Sequence, residues 1–267
     1  MTNTLYEAIY LAIMQPSPEI KCQLTYQLYD DWISNKLVRN SDETIEAIDI
    51  PGRPDKPDLV DPRQVKQRSL ASETGRRVLL HSFAHIEFNA INLALDAAYR
   101  FRQMPDDFIA DWLRVALEES RHFTLISDYL IDLDSSYGAF KAHNGLWDMV
   151  CRTRHNVLHR MALVPRVMEA RGLDVTPGMM DKFRQIDDLR SVDILQVIYE
   201  EEIGHVAIGN RWYHYCCEQE KLDSQATFQL LIDEYFGGKL RGPINRKARL
   251  EAGFEEHELT AIENCLS

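Results

Sequence analysis

The sequence predicts an all-α protein. Apolar residues recur at three- and four-residue spacing through long stretches, and no series of segments alternates apolar and polar residues as β-strands do. Proline and glycine fall mainly between these stretches. The predicted helices cover about residues 5–14, 17–36, 72–102, 106–133, 144–171, 188–220, 224–235 and 255–265.

Local signals support several of these boundaries. Ser17 followed by Pro18 is a typical helix start, with serine as the cap and proline in the first turn. The long helices break at Met104-Pro105, at residues 135–138 and at residues 172–178. Helices near thirty residues span roughly 45 Å, which favours a long four-helix bundle.

Residues 48–62 contain four prolines in fifteen residues, which excludes a continuous helix. We expect an extended Pro-rich arm that lies on the bundle surface through four apolar anchors: Ile48, Ile50, Leu59 and Val60. The predicted organisation is one domain, 1–267, with N-terminal helices (1–45), the arm (46–71), a four-helix bundle (72–220) and a C-terminal helical extension (221–267).

Composition narrows the function classes. The chain has 267 residues, of which 45% are hydrophobic and 27% charged, the balance of a soluble globular protein. The first fourteen residues lack the cationic start of a signal peptide, and we identify no membrane span, so we expect a cytoplasmic protein. The five scattered cysteines suit reduced thiols. A net charge of -12 argues against a broad nucleic-acid surface, although a local basic patch stays open.

Two Glu-x-x-His motifs contain the candidate metal ligands. Glu119 and His122 lie on the second long helix, and Glu202 and His205 on the fourth; residues three apart share a helix face. The first and third long helices each supply a glutamate at a matching distance. Glu87 precedes Glu119 by 119 − 87 = 32 residues, and Glu169 precedes Glu202 by 202 − 169 = 33.

This pattern matches the ferritin-like four-helix bundle, in which two glutamates and two Glu-x-x-His motifs hold two metal ions. Four carboxylates and two imidazoles favour first-row transition metals, with iron first and a manganese-iron pair open. A single Glu-x-x-His is more often a solvated helix face, so the prediction rests on the whole set. The adjacent glutamates leave the register open between Glu118 and Glu119, and between Glu201 and Glu202.

Residues outside this set have weaker signals. His81 and His85 lie four apart but face away from Glu87, so we expect structural histidines. Pro165 should bend the third helix. A tolerated kink is the simpler interpretation, and a bundle widened beside the metals is the functional alternative. Arg166 is a candidate to hold a ligand carboxylate.

The segment 239–249 contains five basic residues and no acid. A solvated loop is the simpler interpretation, and an entrance for an anionic substrate is the alternative. The candidate substrate contacts there are Arg241, Arg246 and Lys247.

Several long passages resemble a bacterial ferritin-like family catalogued as a domain of unknown function. They include PGRPDKPDLV, GRRVLLHSFAHIEFNAINLALDAAYRF, EESRHF, RMALVPRVMEARGLDVTPGM, YEEEIGHVAIGNRW and GPINRKARLEAGF, and the resemblance runs from about Ser17 through the carboxyl-terminal helix. It implies a ferritin-like fold and a di-metal centre at the six residues above. More distantly, the layout is similar to bacterial di-iron hydroxylases that modify an isopentenylated adenosine in tRNA.

We therefore expect a di-iron oxidoreductase that uses dioxygen to hydroxylate or oxidise an organic substrate of unknown identity, with an external electron donor. One alternative is a ferroxidase or iron-storage protein. Another is a helical interaction protein stabilised by metal. A homodimer is compatible with a bundle, and the sequence identifies neither the substrate nor the reductant.

Overall fold

The computed structural model describes residues 4–39, 44–65 and 68–266. It is helical throughout, and within those ranges no strand forms, only isolated bridges. The predicted all-α class is thus confirmed. The chain divides into two compact units, Met1–Cys151 and Arg152–Ser267.

The first unit is built on a helical hairpin. Helices α3 (Glu73–Arg100) and α4 (Asp106–Asp132) pack along each other, α2 (Pro18–Ile33) packs on α4, and α1 (Leu5–Met14) packs on α2 and α3. Ser17 caps α2 by accepting a hydrogen bond from the Ile20 amide, as the sequence predicts. A short helix, α5 (Gly145–Arg152), ends this unit.

The arm forms hydrogen bonds with helices of the first unit and contains a 3-10 turn, Pro62–Gln64. The Gly52 amide donates to the Ile13 carbonyl, and the Trp147 indole donates to the Asp49 carbonyl. Ile48 is buried, but Ile50 is 64% exposed, so Ile50 was wrongly predicted to be an anchor. The backbone hydrogen bonds that hold this arm have no signature in a pattern of side chains.

The second unit contains α6 (Val157–Leu163), α7 (Ala170–Gln185), α8 (Leu189–Glu220), α9 (Ser224–Phe236), α10 (Arg246–Glu251) and α11 (Glu256–Asn264). Between α6 and α7 the segment Val164–Glu169 is π-helical. Helices α6 and α7 and this π-helical segment pack on α8, and α10 packs on α7 and α8.

The third long helix begins close to its predicted start, with α5 at Gly145, but its continuity and its C-terminal end were wrongly predicted. The chain turns at residues 153–156, and Asn156 caps a new helix by accepting from the Leu158 and His159 amides. At the other end Gly172 and Gly178 lie inside α7, which continues to Gln185. Burial of Leu173, Met180 and Phe183 outweighs the roughly 1 kcal/mol that each helical glycine costs.

Within the described residues, α3 is the helix that is long and apolar enough to span a membrane. The sequence pattern alone predicted no membrane span. The most apolar window of α3 is 72% buried inside the fold, which is typical of the core helix of a globular protein.

Candidate metal centre

The α3–α4 hairpin brings three predicted ligands together in the first unit. Glu87 on α3 and Glu119 and His122 on α4 each offer a ligand atom, and these atoms lie within 4.8 Å of one another. The His122 Nδ1 atom is 3.2 Å from Glu119 Oε2 and 3.4 Å from Glu87 Oε2. Two carboxylates and an imidazole in this arrangement could bind a metal ion.

Helical periodicity places these side chains in the core. Glu119 and His122 are three residues apart and therefore share the buried face of α4. Glu87 lies in an apolar stripe of α3, and the predicted members of that stripe are all buried: Leu80, Ala84, Ile91 and Ala94. The apolar pattern thus forces the ionisable groups of this hairpin away from water.

The electrostatics of these groups suit a bound cation. Burial, reinforced by the nearby negative charge of Glu119, raises the pKa of Glu87 well above its usual value. Among the described residues, Glu87 Oε2 is buried without a hydrogen-bond partner, although His122 Nδ1 lies 3.4 Å away. A metal ion would balance the two buried carboxylates, so the residues present fit a metal.

The second unit carries the other predicted set. On α8 the His205 Nδ1 atom is 3.5 Å from Glu202 Oε1, and His205 is fully buried. Glu169 is the last residue of the π-helical segment, and both of its carboxylate oxygens are buried. Each unit therefore holds two carboxylates and one imidazole, and the joining of the two sets stays a prediction.

The structure bears on the choice between adjacent glutamates. Glu119 is fully buried and contacts His122, whereas the Glu118 side chain is 28% exposed and its Oε1 lies 4.0 Å from Arg114 Nε. On α8 it is Glu202 that lies near its histidine. The choice of Glu119 and Glu202 as ligands stays a prediction.

His81 and His85 are structural, as predicted. His85 Nε2 donates to the His143 carbonyl, so its Nδ1 accepts from the Tyr137 hydroxyl. His81 Nε2 accepts from the Gly138 amide. Burial lowers the pKa of both imidazoles to about 4, which keeps them neutral near pH 7.

Arg166 occupies the π-helical segment and is fully buried. Its carboxylate partner is Glu258 on α11, with Nη2 2.7 Å from Oε1. Pro165 lies in the π-helical segment, not in the continuous α-helix that was predicted, and its ring packs against Gly209. At this contact the helices approach closely rather than widen.

Acidic side chains of the protein partly neutralise the basic segment 239–249. Arg246 pairs with Glu256 and with Glu263, whose Oε2 is 2.8 Å from Nη1. Lys247 is exposed, with Nζ 3.9 Å from a Glu251 oxygen, and Arg241 is also exposed. A role for Arg241, Arg246 and Lys247 in substrate binding stays a prediction.

Sequence reasoning missed Glu258 and the contact of Gly209 with Pro165, because Gly209 was considered only as a small residue that leaves room beside the metals. The signal for Gly209 is a glycine inside a long buried helix, which indicates a close backbone approach. Glu258 belongs to a capping box with Glu255, a pattern that predicts a helix start but not the contact with Arg166.

A family model described as "Protein of unknown function (DUF455)" matches residues 14–260. The chain belongs to the DUF455 family. This DUF455 chain is also 45% identical to an "Uncharacterized protein" of Haemophilus influenzae over 272 residues, which cover 98% of this chain and 94% of that relative. No solved structure matches the chain significantly. All six predicted ligands lie inside the matched part of the DUF455 chain.

Proposed function

We propose that this DUF455 protein is a ferritin-like di-metal carboxylate oxidoreductase that uses dioxygen to hydroxylate or oxidise an organic substrate. In this proposal the six ligands from the two units hold two metal ions: Glu87, Glu119, His122, Glu169, Glu202 and His205. The observation that supports it best is the buried group of Glu87, Glu119 and His122 on the α3–α4 hairpin.

The donor set supports iron. Four carboxylates offset most of the charge of two divalent ions, and the imidazoles disfavour calcium and magnesium. A manganese-iron pair uses the same donors and is the alternative metal content. When bound, the metal pair would supply the electrons that reduce dioxygen.

The residues of the hairpin would provide a dry environment for this chemistry. Phe88 and Phe123, which follow Glu87 and His122 in the chain, are buried with ring centroids 5.6 Å apart. Tyr137 packs on both rings, with centroid distances of 5.4 and 5.1 Å. Such an aromatic layer would help to exclude water from this part of the hairpin, and a dry site protects reactive species from side reactions.

Anaerobic loading with ferrous iron, followed by metal analysis and an oxygen pulse, tests the proposal. We expect about two irons per chain, as the ferritin-like template requires, and a transient absorption change that disappears after reduction. Hundreds of irons per particle would indicate storage instead. No metal after loading would contradict both functions, and metal without oxygen consumption would indicate a structural site.

Matched variants tie that result to the ligands. Glu87→Gln in the first unit and Glu202→Gln in the second should each lower the iron content and abolish the absorption change. Glu73→Gln is the control, because Glu73 lies on the same helix as Glu87 but its side chain is 64% exposed. Loss of iron binding in only one of the two ligand variants would contradict a shared centre.

A further inference from the structure

The π-helical segment Val164–Glu169 is an unusual support for a metal ligand. Its backbone hydrogen bonds join residues five apart, as in the bond from the Ala170 amide to the Pro165 carbonyl. Pro165 also lacks an amide proton, so it donates no backbone hydrogen bond here. The segment ends at Glu169, one of the six proposed ligands. The orientation of Glu169 therefore depends on the contacts that hold this segment in place.

The side chain of Arg166 contacts three aromatic rings and a carboxylate of the carboxyl-terminal helix. Its guanidinium lies over three aromatic rings, Tyr213, Phe228 and Phe254, at 4.3, 4.5 and 4.7 Å from their centroids. Glu258 on α11 accepts a hydrogen bond of 2.7 Å from its Nη2. A fully buried guanidinium requires such a partner, because an unpaired buried charge is costly.

The backbone of the same residue is held as well. Arg249 on α10 donates from Nη1 to the Arg166 carbonyl at 3.4 Å. Its other guanidinium nitrogens are fixed by Asp174, with Nε–Oδ1 and Nη2–Oδ2 distances of 3.0 and 2.8 Å. The carboxyl-terminal segment therefore contacts both the side chain and the main chain of Arg166.

We propose that Glu258 and Arg249 are positioning residues, here called the C-terminal clasp, which hold the π-helical segment and so orient the Glu169 carboxylate. A π-helical turn contains one residue more than the corresponding α-helical turn. Reversion to α-helical bonding would rotate the end of the segment by ~100°, the angle between successive residues. The clasp thus decides whether Glu169 keeps its orientation. Its effect on metal binding depends on the proposed function, whereas its effect on the segment does not.

Glu258→Gln is the most informative variant. Glutamine still accepts from the Glu255 amide, as Glu258 Oε2 does, so the start of α11 is preserved. The charge opposite Arg166 is lost. Glu256→Gln is the matched control, because Glu256 lies on the same helix but pairs with Arg246 and is exposed. Glu258→Asp, which retains the charge, serves if the glutamine variant does not fold.

Hydrogen exchange of the metal-free protein measures the effect of each substitution on the π-helical segment. We expect the amides of residues 166–170 to exchange about tenfold faster or more in Glu258→Gln, and at the wild-type rate in Glu256→Gln. Cobalt(II) binding measures the effect on the metal site. We expect affinity to fall about 10- to 100-fold, with an altered visible spectrum, as for other groups that orient metal ligands.

The outcomes separate the two proposals. If Glu258→Gln exchanges faster but the wild-type protein binds no cobalt, the clasp is supported and the proposed metal function is contradicted. Cobalt binding by the wild type with unchanged exchange, affinity and spectrum in Glu258→Gln overturns the clasp. Faster exchange with unchanged cobalt affinity and spectrum overturns its role in positioning Glu169. Partial recovery of all three quantities in Glu258→Asp supports a charge-dependent clasp.

Discussion

Gly209 on α8 lies directly against Pro165 in the π-helical segment. A Cβ atom at position 209 would lie 2.2 Å from Pro165 Cβ and 2.4 Å from its Cγ, far inside van der Waals contact. The proline ring cannot retreat as a flexible side chain would, because it is fixed to the backbone at both ends. The close approach of these two helices therefore depends on glycine at position 209.

We expect Gly209→Ala to lower the free energy of unfolding by about 1–3 kcal/mol, because the added methyl group overpacks this contact. Gly204→Ala is the control on the same helix, since a Cβ atom added at position 204 would have nothing within 4 Å. It should stabilise the protein by about 0.5–1 kcal/mol through helix propensity. Urea unfolding of both variants measures the difference, and equal effects would contradict the packing argument.

Lys21 on α2 is fully buried and uses all three donors of its ammonium group. They bind the Ala12 and Ile13 carbonyls at 2.8 and 2.5 Å and Asn92 Oδ1 at 2.7 Å. The two carbonyls belong to the last turn of α1, and they also accept from the Gln15 and Gly52 amides. The side chain therefore joins three helices of the first unit.

We expect Lys21→Met to destabilise the protein by about 1–3 kcal/mol, because three buried acceptors each lose a hydrogen bond. Lys36→Met is the comparison, since Lys36 is exposed and water screens its ion pair with Asp31, so its loss should cost little. Thermal and urea unfolding test both variants. A loss in Lys21→Met no larger than that in Lys36→Met would show that the buried contacts add little.

His81 predicts a specific pH dependence of stability. Burial lowers its pKa from 6.5 to about 4, so between these values the unfolded chain binds more protons than the folded one. The contribution is therefore fully present above pH 6.5 and is lost as the pH falls towards 4, by up to about 3 kcal/mol. In His81→Gln, whose amide oxygen still accepts from Gly138, the free energy of unfolding should depend less on pH in this window.

Urea titrations between pH 4 and 7 measure that dependence. His257→Gln is the control, because the His257 side chain is 56% exposed. It should leave the pH profile unchanged. An identical profile in His81→Gln and the wild type would show that His81 titrates alike in the folded and unfolded chains.

The sequence predicted the parts of this molecule that depend on periodicity. Helices α3, α4 and α8 lie within two residues of their predicted bounds, and the apolar stripe around Glu87 is buried as expected. The grouping of Glu87 with Glu119 and His122 was predicted from their spacing together with the ferritin-like pattern. The π-helical segment and the Glu258–Arg166 pair did not, because a one-residue insertion and a contact across 92 residues leave no periodic signal.

The two glutamates at 118 and 119 provide the sharpest test of the proposed centre. They are adjacent and carry the same charge, but Glu119 is buried beside His122 and Glu118 is partly exposed towards Arg114. Glu119→Gln should weaken cobalt(II) or iron(II) binding by more than the roughly 10- to 100-fold typical of residues that only orient ligands. Glu118→Gln should change it by less than that. Because both variants remove one negative charge, a general electrostatic effect would weaken binding equally in the two. A larger loss in Glu118→Gln would assign the ligand to position 118 and shift the α4 register by one residue.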